Sequence, residues 1–184
     1  MLNLSVVVAG LAFLSYLVLL WLVLRRSAVE TLRRAFIVFL LCMTIWSLGA
    51  LLARLDPQHT RAWMIFAQVG NTLGLPMATF HFAQRFSGRE RSRRWTLIGV
   101  AGLLAAMAAM LWGTIGTATL TPEGLIEVSY LPAMLVLGIY WILFLGMSAW
   151  DLAVAYSQAT DSVRRNRLRY PLIAVALIFL GALT

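Results

Sequence analysis

One long apolar run, 62–86, holds six polar side chains in its interior: Gln68, Asn71, Thr72, Thr79, His81 and Gln84. Gln68, Asn71, Thr72 and Thr79 recur at spacings of three, four and seven, which sets them along one helix face. Amides and hydroxyls in that arrangement can hydrogen-bond a ligand or a neighbouring helix. His81, with Arg85 one turn further on, is an ionisable group within an apolar run and so a functional suspect. Proton sensing is chemically open to an imidazole. As a metal or haem ligand it lacks a partner, because His59 falls in a connector and Cys42 in a different run. A neutral, hydrogen-bonded histidine is the simpler reading. Asp151 is the one acid inside an apolar run; pairing with a nearby arginine explains it, since a proton relay would want a second embedded acid.

The same run carries Gly70, Gly74 and Ala78 at four-residue spacing, and Pro76 between them. A small-residue stripe lets another helix approach closely. Pro76 removes one backbone donor and so frees a carbonyl on the preceding turn. The polar face therefore has two readings. The simpler is helix packing through interhelical hydrogen bonds. The sharper is a ligand pocket or a movable joint built from Gln68, Asn71, Thr72, Pro76, Thr79 and His81.

The elements that must position these residues are set by composition. The chain has 184 residues, 61% of them hydrophobic and 12% charged, and a mean hydropathy of +0.86. A soluble domain is about half apolar and a quarter charged, so this is an integral membrane protein. The net charge of +8 does not indicate nucleic acid, because the arginines sit at the ends of apolar runs. There they contact headgroups and set orientation. The single cysteine, Cys42, excludes an internal disulfide and reads as a small packing residue. The first run has no basic segment before it and no small-residue cleavage site after it, so it reads as a retained span.

A bilayer core of roughly 30 Å needs about 20 apolar residues as helix. Runs at 4–24, 35–53, 62–86, 95–115 and 130–156 meet that length, and a sixth run, 171–184, is too short. The expectation is an all-α polytopic bundle forming one transmembrane domain. It has five complete spans and an incomplete sixth, as in a piece of a longer protein. Strands of a membrane barrel would alternate apolar and polar residues, and these runs do not. The segment TATLTPEGLIEVS is expected to be a loop.

Basic residues crowd alternate connectors. The first holds Arg25, Arg26, Arg33 and Arg34, the third Arg89, Arg91, Arg93 and Arg94, and the fifth Arg164, Arg165, Arg167 and Arg169. The positive-inside rule then puts those connectors in the cytoplasm and the N-terminus outside. Trp21 and Trp95 fall at the inner interface, and Trp63 and Trp112 at the outer one. No Gly-rich phosphate loop, metal-ligand pair at helical spacing or nucleophile with a base is present, so neither an enzyme nor a cofactor is expected.

Three stretches carry a family resemblance: AFIVFLLCMTIWSLGALL after a basic connector, RAWMIFAQVGNTLGLPMATFHFAQRFSG after a short turn, and RRNRLRYPLIAVALIFLG. Their order resembles the N-terminal seven-transmembrane input region of bacterial histidine kinases and related diguanylate cyclases. The resemblance implies seven spans, an outside N-terminus, the bacterial inner membrane, and a cytoplasmic output module after the seventh span. Expected partners are the lipid bilayer, a small or lipophilic ligand, and a second copy through the full-length protein. The alternatives are a small transporter or channel, and a non-catalytic accessory subunit. Transporters tend to carry paired interrupted helices and internal repeats, whereas this sequence shows one interrupted run and no repeat.

Overall fold

A computed structural model describes residues 4–25, 30–88 and 93–181. Arg26, Arg89 and Arg91, assigned above to lipid contact and orientation, lie outside these residues. The chain is a bundle of α-helices. Among the described residues, four helices are long and apolar enough to cross a membrane: Leu4–Arg25, Leu32–Leu55, Arg94–Trp112 and Met134–Gln158.

Helix α1 (Leu4–Arg25) packs on α2 (Glu30–Leu55), and Arg33 of α2 donates to the Leu24 carbonyl at 2.7 Å, closing the end of α1. A one-turn 3₁₀ segment, Pro57–His59, then reverses the chain. The polar run, expected as one helix over 62–86, is divided into three consecutive pieces. These are α3 (Thr60–Gln68), a π-helical segment (Val69–Gly74) and α4 (Leu75–Ser87), which ends on Gly88 in the left-handed region at φ 73°. Helix α5 (Arg93–Trp112) follows, and then α6 (Met134–Gln158) and α7 (Ser162–Gly181) complete the bundle.

The polar run is the hub. It packs on α2 along all three of its pieces, on α6 through the π segment and α4, and on α7 through α4. Helix α4 contributes to each of three packed clusters. Leu75 and Ala78 meet Cys42 and Met43 of α2; Phe80 meets Ala106, Leu137 and Phe144 of α5 and α6; and Ala83 meets Leu152 and Leu168 of α6 and α7. Helix α5 closes on this core through two glycines. A Cβ on Gly99 would lie 2.7 Å from the Met77 methyl, and one on Gly102 would lie 2.9 Å from the Tyr140 ring.

Two connectors differ from expectation. The segment expected as a loop is an antiparallel β-hairpin of β1 (Ile115–Leu120) and β2 (Ile126–Tyr130). Its turn runs Thr121-Pro122-Glu123-Gly124. The Gly124 amide donates to the Thr121 carbonyl at 2.9 Å, and Gly124 itself has φ 83°. Proline second and glycine last suit such a turn, and flanking β-branched residues alternating with others favour strands. The second difference concerns Arg164, Arg165, Arg167 and Arg169, which do not lie in a loop. Helix α7 begins at Ser162, and both carboxylate oxygens of Asp161 accept backbone amides of its first turn, from Val163 and Arg164, at 3.2 Å. An aspartate at this position satisfies amides that have no partner within the helix. Pro171, expected to open the sixth run, therefore sits inside α7.

Candidate functional site

Pro76 determines the local structure of the hub. In the π register each amide reaches back five residues, and the Leu75 amide does so by donating to the Gly70 carbonyl. The next donor in that register would be residue 76, reaching Asn71, but proline has no N–H. The Asn71 carbonyl is thereby left open inside the bundle. Trp141 of α6 fills the vacancy: its indole Nε1 donates to the Asn71 carbonyl at 3.2 Å. A break in one helix is thus closed by a side chain from another, as backbone groups out of reach of water require.

The two glycines flanking this carbonyl bring α2 against the break. A Cβ on Gly70 would collide with the Cys42 carbonyl, and would lie 2.7 Å from the Trp46 amide nitrogen. One on Gly74 would lie 2.5 Å from the Cys42 sulfur. Further along, Gly49 of α2 repeats the device, where an added Cβ would sit 2.7 Å from that of Ala67. Ala78 continues the same face, packed with Cys42 and Met43. The π segment is therefore gripped between backbone atoms of α2 and the indole of α6.

Gln68 is buried one turn before the break. Its Oε1 accepts a 2.6 Å hydrogen bond from the Thr114 hydroxyl, and its Nε2 lies 3.7 Å from the Met134 sulfur. Thr114 stands immediately before β1, so this bond ties the hub to the base of the hairpin. Arg61 makes a second tie, donating from Nε and Nη2 to the Ile115 carbonyl at 3.2 and 3.1 Å. At the same end Asp56 accepts from the Trp63 indole at 3.1 Å and from His59 Nδ1 at 2.9 Å. The Trp63 and His59 contacts hold the Asp56 carboxyl below its ordinary range.

Thr72 is buried beside Gln68, and Asn71 is half-buried. Thr79 is fully buried and its hydroxyl has no hydrogen-bond partner among the described residues. His81 is half-buried, with its ring 6.0 Å from that of Phe80. These residues share one hub. A 540 Å³ cavity elsewhere in the bundle is bordered by none of them. Asp151 is fully buried on α6.

The basic residues described lie mostly at the other end. Arg25 covers the Trp21 ring at 3.9 Å, Arg33 caps α1, and Arg165 stands over Tyr156 at 5.0 Å. Arg34, Arg94, Arg164, Arg167 and Arg169 lie in the N-terminal parts of α2, α5 and α7.

Three participants were not evident from the sequence. Trp141 carried one signal: an indole N–H well inside an apolar run must find an acceptor. Thr114 and Arg61 carried none, because their roles depend on where the hairpin folds back. Comparison of this chain with family profiles, curated proteins and solved structures returns no match.

Proposed function

We propose that this chain is the membrane-embedded input region of a bacterial signalling protein, passing a stimulus to a cytoplasmic output module by rearrangement of packed helices. One observation carries the reading: the hub helix is broken at Pro76, and its open carbonyl is held by Trp141 of another helix. π segments cluster at functional sites. A break closed by a single side chain can exist in a held and a released form, which is what a two-state element needs. A stimulus that binds one form better shifts the balance. The hairpin, tied to Gln68 and Arg61, gives the opposite end of the bundle a route to the same helix.

In this reading the N-terminus and hairpin face outside, and the arginine-rich ends of α2, α5 and α7 face the cytoplasm of a bacterial inner membrane. The ligand is small or lipophilic, and signalling proceeds in a homodimer of the full-length protein. The family resemblance supports the same assignment. Replacing Gln68 and Asn71 together by leucine in the full-length signalling protein tests it. Loss or locking of the output is expected; unchanged output with normal membrane insertion would refute the assignment.

A further inference from the structure

A cavity of about 540 Å³ opens between α1, α2 and the tip of the hairpin. That volume lies in the range of small-molecule sites. One wall is the α1 stripe Val8, Ala12 and Tyr16; the facing wall is the α2 stripe Trp46, Ala50 and Arg54. Both stripes step by four residues, so both walls run along their helix axes. From Leu4 to Tyr16 the trough extends roughly 18 Å at 1.5 Å per residue. Alanines along both walls keep it open, and its surface is chiefly apolar.

The polar end of the trough is Arg54. Its Nη1 donates to the Ala50 carbonyl of its own helix at 2.7 Å, while its Nε is buried with no hydrogen-bond partner among the described residues. A guanidinium stays charged, and a partly buried cation with an unused donor is costly until an anion reaches it. Glu123 and Leu125 of the hairpin turn border the same end. The Glu123 carboxylate is exposed and engaged locally, its charge favoured by its own backbone amide and by the Thr121 hydroxyl. It does not form an ion pair with Arg54 among the described residues, and at the mouth it repels a second negative charge.

We infer that this trough is a binding site for a single-chain amphiphile with a monoanionic headgroup, the acidic group on Arg54 and the apolar chain between α1 and α2. Such a head makes a charge-assisted bond to the guanidinium, and the chain replaces lipid or void along the trough. Trp46 lines the trough while its backbone amide faces Gly70, so an occupant touches the helix that grips the break. The inference concerns binding alone and stands whether or not the chain signals.

The test uses the protein in phosphatidylcholine nanodiscs, with a tail-brominated long-chain fatty acid as probe and tryptophan quenching as readout. Saturable quenching is expected, most of it lost in Trp46→Phe. The methyl ester of the same acid, which has no charge, and the Arg54→Gln variant should each weaken binding by about tenfold or more. Glu123→Lys, which needs no change in the bundle, should tighten it. Competition by lysophosphatidylglycerol, a single-chain monoanionic membrane lipid, would name a bilayer lipid as the natural source of the same headgroup chemistry. Lack of competition would name a free amphiphile, and either result keeps the site. Equal binding of acid and methyl ester, or an Arg54→Gln variant of native helicity that binds unchanged, would overturn it.

Discussion

Helix α1 and the polar run invert the rule for soluble proteins. Helix α1 has the highest mean hydropathy of the candidate spans, 2.6, and no buried residue. The polar run buries Gln68, Thr72, Pro76, Thr79 and Ser87 alongside its apolar residues. In a bilayer, lipid tails are as apolar as leucine, so burying leucine gains little. Burial goes instead to groups that lipid cannot satisfy and to small residues that let backbones approach. Buried polar and small residues, packed beside core side chains such as Phe80 and Leu75, are what separate the polar run from α1.

Matched substitutions in the two regions can break that contrast, and the largest effect is expected at glycine. Gly70→Ala places a methyl against the α2 backbone and should destabilise by about 2–3 kcal/mol, despite alanine's better helix propensity. Gly10→Ala on α1, where the nearest atom to a new Cβ is 4.0 Å away, should be neutral or stabilising by up to about 1 kcal/mol. Thermal unfolding in detergent would compare the two, and equal effects would dissolve the contrast.

A smaller effect is expected where a bond crosses between elements. Gln68→Leu removes the acceptor of Thr114 and should cost about 1–2 kcal/mol. Ser15→Leu on α1 removes only an exposed bond to the Leu11 carbonyl of its own helix and should stay within about 0.5 kcal/mol. Chemical unfolding monitored by circular dichroism reads both.

The smallest effect sharpens the argument. Thr79 is buried but its hydroxyl has no partner among the described residues, so Thr79→Val keeps the shape and removes an unsatisfied group. Its stability should change by less than about 0.5 kcal/mol or rise slightly. A large loss in the same unfolding assay would mean that the hydroxyl has a partner of its own.

The helical bundle was legible because long apolar runs leave a chain few other ways to satisfy its backbone. The hub's polar face, its small-residue stripe and the consequence of Pro76 were legible as local patterns. What closed the gap was not: nothing about the spacing on the polar run names Trp141, which is 70 residues away along the chain. The hairpin reads as a loop by composition because its strands are short and lie between apolar runs, although Thr121-Pro122-Glu123-Gly124 between alternating segments is a turn signal. The start of α7 is obscured because a cluster of arginines resembles a connector, while Asp161 just ahead of Ser162 marks a helix beginning. In both places turn and cap chemistry, not charge and hydropathy, decides the local structure.

The central claim is that Trp141 stands in for the amide that Pro76 lacks. Combining Pro76→Ala with Trp141→Phe tests it directly, because alanine supplies an N–H that can reach the Asn71 carbonyl in the π register. Unfolding free energies of the wild type, both single variants and the double variant close the cycle. The account predicts that Trp141→Phe costs about 1 kcal/mol less in the Pro76→Ala background than in the wild type. An equal cost in both backgrounds would contradict it.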